Sequence, residues 1–284
     1  MSTTDQPENH YWYDGQRITG AALALPCQEP GLLFGATVFT TLRVYDQQLD
    51  HPWTAWAAHV ARTQRSLQAF HWPEPDWERV RQGAAQLASQ YPVLRVTIFP
   101  DGRELILGRS LPPHLATWQA TGITAWVADS TDYSRPLPGH KTGNYLGCWL
   151  SLQAAQRMNA QEAILINESG HWLETSTGNL WGWADGQWWT PPLGVGILPG
   201  VLRSRLVQGL QAQQQTVQTE PWPPDLCARL TYLAYTNSVS EVVPIHTVLQ
   251  GTASVNYNPD HGKTAQLTQA WQAVAHLNSE DALT

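Results

Sequence analysis

Hydrophobic residues in the first part of the chain fall into short extended runs that alternate with helix-length segments. Residues 32–34 and 38–45 carry the β-branched and aromatic content of strands. Over residues 53–70, Trp56, Val60 and Leu67 recur at near-helical spacing, which predicts one helix there and a second over 77–91. Strands are expected at 93–99 and 104–108. Pro100-Asp101-Gly102 between them has the chemistry of a tight turn, so the two read as a hairpin. The whole stretch predicts a compact unit of mixed helix and strand.

After a strand at 123–128 the pattern breaks. Residues 129–140 hold Pro136, Pro138 and Gly139 and are expected to be an interdomain linker and a mobile lid. A helix is expected over 146–158, then strands at 163–167, 171–174, 179–184 and 187–190 with turns at Glu168-Ser169-Gly170 and Asp185-Gly186. Helices over 200–213 and 263–276 flank a strand near 230–236. The expected organisation is a smaller N-terminal α/β domain over 1–128, a linker over 129–140 and a larger domain over 141–284.

Composition narrows the functions open to such a chain. With 284 residues, 42% of them hydrophobic, it can bury a substantial core. A formal net charge of −7, with no run of Lys and Arg, argues against a nucleic-acid partner. The 15 tryptophans are scattered without basic companions, so they read as packing and not as a base-stacking surface. The first residues are polar and acidic, unlike a secretory signal, and no stretch nears the roughly 18 apolar residues of a membrane span. Cys27, Cys148 and Cys227 are far apart, which suits thiols in a reducing cytoplasm and offers no metal-site spacing.

Of the 16 Lys and Arg residues only two are lysines, Lys141 and Lys263. A guanidinium stays protonated and forms no Schiff base, whereas a lysine amine can be deprotonated by its surroundings. Lys141, in a loop rich in Gly and Pro, is therefore either an incidental surface residue or an amine kept for covalent chemistry.

Four further features bear on that choice. Tyr145 follows Lys141 by four residues at a helix entry, within reach of the same group. Glu174 closes an apolar strand before Thr175-Ser176-Thr177-Gly178-Asn179; it is either a solvated strand end or a carboxylate that keeps a pyridine nitrogen protonated. Gly194-Val195-Gly196-Ile197-Leu198-Pro199-Gly200-Val201 runs into a helical pattern, where backbone N–H groups suit a phosphate, although such turns are also common as plain structure. Its glycine spacing, outside any βαβ unit, does not fit dinucleotide binding. Arg62, on the early helix after His59, is either solvated or a fork for the same phosphate, and Asn237-Ser238 add amide and hydroxyl donors at a strand end. Together these groups suit pyridoxal 5′-phosphate (PLP) held on Lys141.

In this order the segments resemble the class-IV aminotransferase family over residues 30–250. The resemblance rests on Phe34-Gly35 with Val38-Phe39, His59 with Arg62, Lys141 with Asn144, Glu174 with Asn179, Gly196-Ile197-Leu198-Pro199-Gly200 with Arg203, and Asn237-Ser238 before Val243-Pro244. It implies the fold-type IV architecture: a mixed α/β chain of two domains with PLP between them, in a homodimer whose sites lie near the subunit interface. It makes Lys141 the lysine that binds PLP and moves the proton. Glu174 is expected on the pyridine nitrogen and Tyr145 on the phenolic oxygen. Arg62, the backbone of Ile197 and Leu198, and Ser238 are expected on the phosphate, with Asn179 and Asn237 also in the cofactor site.

Within the family, Phe39-Thr40-Thr41-Leu42-Arg43-Val44 resembles the aminodeoxychorismate lyases, where branched-chain aminotransferases usually carry an acidic residue and Gly. The spacing of Lys141 and Asn144 matches lyases and D-amino-acid enzymes. Phe39, Thr41 and Arg43 are therefore the substrate-binding candidates. The activity expected is a lyase that releases pyruvate and 4-aminobenzoate for folate synthesis. Pro100-Asp101-Gly102-Arg103, Gly35-Ala36-Thr37 and Tyr145-Leu146 depart from the lyase pattern and keep a class-IV aminotransferase of branched-chain or D-amino acids as the alternative. A third reading, an inactive PLP-fold binding protein, would have no need of Lys141 or Glu174.

Overall fold

The computed structural model describes residues 10–259 and 261–274. Its contacts divide the chain into two units. The first runs to Leu111 and takes back Lys141–Asn144; the second holds Pro112–His140 and the chain from Tyr145 onward.

The first unit opens with a hairpin of β1 (His10–Tyr13) and β2 (Gln16–Thr19), closed by Asp14 and Gly15 at φ 45 and 81. Positive φ at both turn residues matches the right-handed strand twist, which is why an Asp-Gly pair sits there. Short helix α1 (Pro30–Leu33) replaces the strand expected at 32–34. Pro30 presets the first helical φ and the Glu29 carboxylate accepts the Gly31 N–H at 3.2 Å, so local capping overrides the apolar content. Then come β3 (Val38–Arg43), α2 (Trp56–Ala69), α3 (Trp77–Ala88), β4 (Val93–Ile98) and β5 (Glu104–Arg109). The strands form one antiparallel sheet in the order β2-β1-β5-β4-β3. Alternate residues of one face, among them Leu42, Leu94, Val96 and Ile106, pack with Trp12 against Leu67 of α2 and Val80 and Leu87 of α3. Each such fully buried side chain contributes roughly 1.5–3 kcal/mol of hydrophobic burial. The opposite face carries Phe39, Thr41 and Arg43, as strand alternation requires.

The second unit contains α4 (Leu115–Thr121), β6 (Ile123–Val127), a 3₁₀ turn (Thr131–Tyr133), α5 (Leu146–Arg157), β7 (Glu162–Ile166), β8 (Trp172–Thr175), β9 (Asn179–Ala184) and β10 (Gln187–Trp189). It continues with α6 (Val201–Ala212), β11 (Val217–Gln218), α7 (Pro224–Arg229), β12 (Tyr232–Asn237), β13 (Glu241–Gln250), β14 (Ala253–Asn256) and α8 (His261–Ala273). Strands β9, β12, β13, β6, β7 and β8 pair in turn, and β8 returns to β9 where Glu174 faces Asn179. The sheet thus closes on itself, and Glu174 and Asn179 sit at its seam. Trp181, Trp188 and Tyr232 are fully buried, and Tyr232 meets α8, its hydroxyl 2.9 Å from Thr264 Oγ1. Among the described residues no helix is long and apolar enough to cross a membrane.

Two expectations about organisation change. Strand β6, assigned to a domain over 1–128, pairs with β13 and β7 and belongs to the second unit. Residues 129–140 are not a bare linker, because Arg135 within them is buried and bonded into that unit. The last two positions of the helix expected over 263–276 lie outside the described residues.

Candidate active site

In the first unit Lys141 lies on a short segment added to the edge of β3. Phe39 N–H donates to Lys141 O at 2.8 Å, Gly143 N–H donates to Thr37 O at 2.8 Å, and Val38 and Thr142 form an antiparallel bridge. This close approach needs glycine on both sides. A Cβ on Gly143 would stand 2.3 Å from Thr37 Oγ1 and 2.7 Å from Gly35 O, and one on Gly35 would stand 2.9 Å from Asn144 N. Lys141 Nζ lies 4.8 Å from the centroid of the Phe39 ring, and the Arg95 guanidinium carbon lies 3.6 Å from the same centroid. The ring's negative face attracts both cations. Thr41 pairs with Arg95 across β3 and β4. Arg43 packs instead over Tyr45, 4.9 Å from its ring centroid.

On the other face of β3, Thr40 meets α2. Arg62 Nη2 donates to Thr40 Oγ1 at 2.9 Å, and that hydroxyl lies 2.6 Å from His59 Nδ1. Arg62 is buried, which settles its status as an anchored and not a solvated arginine. Arg103, in the β4–β5 turn, is committed to Glu29 and Asp101 at 2.5 and 2.6 Å. No substrate contact is assigned to it.

In the second unit Glu174 is buried, not a solvated strand end. Its Oε1 pairs with Arg135 Nε at 2.9 Å, and its Oε2 accepts from Leu198 N at 3.0 Å and Asn179 Nδ2 at 3.3 Å. Asn179 Nδ2 also donates to Leu198 O at 3.0 Å, tying the seam to the loop before α6. The Leu198 N–H, expected on a phosphate, donates to Glu174 in this structure. The donors for an anion lie further along. Helix α6 starts at Val201, its N-cap Gly200 provides no side-chain cap, and the first-turn amides have no acceptor within the helix. Gly200 is required there, since a Cβ would stand 2.1 Å from Asn179 Oδ1.

Arg203, in the same first turn, is buried and donates to Pro191 O at 2.8 Å, while its buried Nε has no partner among the described residues. Burial pulls its pKa down to about 10, against the opposing attraction of Glu174. Asn237 Oδ1 accepts from Val239 N at 2.9 Å and Ser240 N at 2.7 Å, so the side chain closes a turn with the half-buried Ser238 within it, and its Nδ2 donates to Thr177 Oγ1 at 3.4 Å. The Tyr145 hydroxyl donates to Ser176 O at 3.1 Å, and burial, with Cys148 and Glu174, raises its pKa well above 10. A bond from Tyr145 to a cofactor oxygen requires that proton to turn away from Ser176.

Sequence reading missed Arg95, Arg135 and Glu162. Arg95 was detectable as the one charged position in the apolar strand β4. Glu162 is buried beneath the turn that joins Glu174 to Asn179, accepting from Ser176 Oγ and Thr177 Oγ1, each at 2.5 Å. Burial pushes its pKa up to about 7 against these donors.

PLP asks for an amine, an acceptor for its ring nitrogen and donors for a phosphate dianion. Within the first unit Lys141 offers the amine and Arg62 a guanidinium; within the second, Glu174 offers the acceptor, and the open first turn of α6 and the unsatisfied Nε of Arg203 offer anion donors. A carboxylate accepts about four hydrogen bonds, and three donors reach Glu174, so capacity for a ring nitrogen remains. The residues fit the cofactor.

Known proteins match this arrangement. The chain is 27% identical over 224 residues to the aminodeoxychorismate lyase of Vibrio harveyi, covering 73% of this chain and 80% of the relative. It is 23% identical over 282 residues to the branched-chain-amino-acid aminotransferase of Salmonella typhimurium, covering 86% of each. Among solved structures, the branched-chain amino acid aminotransferase of Escherichia coli superposes with a TM-score of 0.76 at 20% identity, covering 94% of both chains. A hypothetical aminotransferase from Mycobacterium tuberculosis in its PLP-bound form gives 0.77 at 18% identity, covering 94% of this chain and 98% of its own. The family model for amino-transferase class IV matches residues 37–248, a span that takes in β3, the Lys141 segment, the Glu174 seam and the start of α6, and the chain belongs to that family.

Proposed function

We propose that the chain is a PLP-dependent 4-amino-4-deoxychorismate lyase, releasing pyruvate and 4-aminobenzoate for folate synthesis. The observation that carries the reading is the placement of Phe39-Thr40-Thr41-Leu42-Arg43-Val44. This lyase-like stretch lies on β3, the strand paired with the Lys141 segment, and puts the Phe39 ring beneath Lys141 Nζ. The lyase relative at 27% identity supports it.

PLP, when bound, supplies an electron sink for the pair left as a proton leaves the carbon bearing the substrate amine. Lys141 would hold the cofactor through Nζ and, as a free amine, would take that proton on Nζ. The lyase outcome would be breakage of the C–O bond to the enolpyruvyl group, which leaves as the enolate and takes up a proton to give pyruvate, with aromatisation of the ring as driving force. Glu174 would accept from the ring nitrogen, and Arg62 and the α6 first turn would offer donors to the phosphate. Arg95, on the Phe39 ring beside Lys141, offers a cation to a substrate carboxylate.

The branched-chain relatives, aligned over 86% of the chain, favour a second reading as a class-IV aminotransferase. Incubating PLP-loaded protein with aminodeoxychorismate and no 2-oxo acid decides between them. Equal 4-aminobenzoate and pyruvate are expected, whereas turnover only with an added 2-oxo acid would assign the aminotransferase. Lys141→Ala is expected to remove both turnover and the cofactor's visible absorption band with the circular dichroism unchanged. Retained activity in that variant would sink either reading. We further read the protein as a cytoplasmic homodimer. Leu146, Trp149 and Leu150 stand exposed together on α5, the kind of apolar patch that subunit interfaces cover.

A further inference from the structure

Taking a guanidinium out of water costs several kcal/mol unless its donors are all satisfied in good geometry. Within the second unit Arg135 has a partner at each of its three nitrogens. Its side chain is 4% exposed, its Nε donates to Glu174 Oε1 at 2.9 Å, its Nη1 donates to His140 O at 3.1 Å, and its Nη2 donates to Pro138 O. Burial pulls its pKa down, but the attraction of Glu174, with Tyr145 and Cys148 behind it, leaves a net rise, so the group stays charged. A staple for residues 135–140 would need only the two carbonyls. The third donor goes instead to the carboxylate that the functional reading sets on the cofactor's ring nitrogen. The loop side is equally specific, because the His140 carbonyl carbon is bonded to the nitrogen of Lys141. One planar fork therefore fixes both Glu174 and the peptide that leads into the cofactor lysine.

We propose that Arg135 is a positioning residue for the cofactor: it orients Glu174 as a carboxylate toward the ring nitrogen and holds the peptide preceding Lys141. The proposal rests on the PLP reading of the site. Glu174 is met by the backbone of Leu198 and the amide of Asn179 on Oε2, and Arg203 attracts it electrostatically while donating to Pro191 O. Arg135 is thus the charged partner that sets Oε1. Without it, a buried carboxylate loses its counter-ion and the donor that fixes Oε1.

The test uses the full chain in four forms: wild type, Arg135→Gln, Glu174→Gln and the double variant. Two readouts are taken, PLP affinity by titration of apoprotein and the pH midpoint of the cofactor's visible absorption band. Arg135→Gln is expected to weaken PLP by about tenfold or more and to move the midpoint by about one pH unit. In the Glu174→Gln background the same change is expected to add little, since both act through one carboxylate. Additive effects, or a wild-type affinity and midpoint in Arg135→Gln with only a lower melting temperature, would reduce Arg135 to a loop staple and overturn the proposal. Should Arg135→Gln not fold, Arg135→Lys carries the comparison: it keeps the charge and loses the fork, so weaker PLP binding is expected and wild-type values in both readouts overturn it. A wild-type protein with no PLP band that Lys141→Ala removes would overturn the functional reading and this inference together, a result distinct from a normal band that Arg135 does not influence.

Discussion

Two glycines face each other where the Lys141 segment joins β3, and neither tolerates a methyl group without moving backbone. Gly143 is the sharper case, because one of the atoms a Cβ would strike is a backbone oxygen, Gly35 O, at 2.7 Å, which no side-chain rotation relieves. Overpacking of this kind costs typically 1–3 kcal/mol. Gly143→Ala is expected to lose about that much stability in denaturant melts, and to lower PLP loading read from the visible band. Gly139→Ala, where a Cβ meets nothing within 4 Å, is the control and is expected to match wild type. Lys141 and Glu174 stood out in the sequence for physical reasons. A scarce lysine in a Gly/Pro loop and a carboxylate ending an apolar strand are each out of place unless used. Arg135 was not legible, since one arginine among fourteen says nothing of what it meets. The partners of Leu198 and Asn237 were not legible for a related reason: which acceptor takes an N–H, and which turn an amide side chain closes, are decided by tertiary approach.

At the scale of elements, the turn from β8 to β9 depends on β7 beneath it. Glu162, on β7, accepts hydroxyls from Ser176 and Thr177 and so holds the turn whose ends are Glu174 and Asn179. Its pKa is raised from 4.5 to about 7, chiefly by burial. The folded chain therefore binds this proton more tightly than the unfolded chain between those two values. Its contribution to stability is present in full below about 4.5 and is lost as pH rises through about 7, by at most about 3 kcal/mol. Other carboxylates titrate too, so the measurement is a difference. Melting temperatures of wild type and Glu162→Gln are compared from pH 5 to pH 8, and wild type is expected to fall relative to the variant across that range. Parallel curves would show that Glu162 does not titrate there. Elements with clean periodicity, such as β3, α2, α3, β4 and β5, were readable in advance. β1, β2 and β13 were not: the first two are four residues each, and β13 contains Pro244, which normally demotes a strand. Pro244 is accommodated opposite Ala234 at the strand's paired edge.

At the scale of the whole molecule, the division of the chain was the least legible feature, because a Pro/Gly-rich stretch looks like a linker whether or not its side chains are buried. The first unit is discontinuous: the chain leaves it after Leu111, returns for Lys141–Asn144, and leaves again at Tyr145. That return acts as a stitch. Inside the first unit it is held by the Phe39–Lys141 and Gly143–Thr37 hydrogen bonds. Its flanks are anchored within the second unit, where Arg135 grips His140 O and Tyr145 begins α5. Two domains joined by a single flexible linker often melt separately. Here the stitch cannot leave β3 without straining the Arg135 loop, and α5 cannot unwind at its start without pulling on Asn144. Scanning calorimetry of the wild-type chain is therefore expected to show one transition, with calorimetric and van't Hoff enthalpies in agreement. Gly143→Ala, which loosens the stitch from the first unit's side, is expected to split or broaden that transition instead of merely shifting it. Two resolved transitions in the wild type would mean that four residues of backbone pairing are too weak to couple the units, and that the return of the chain at Lys141 serves the site alone.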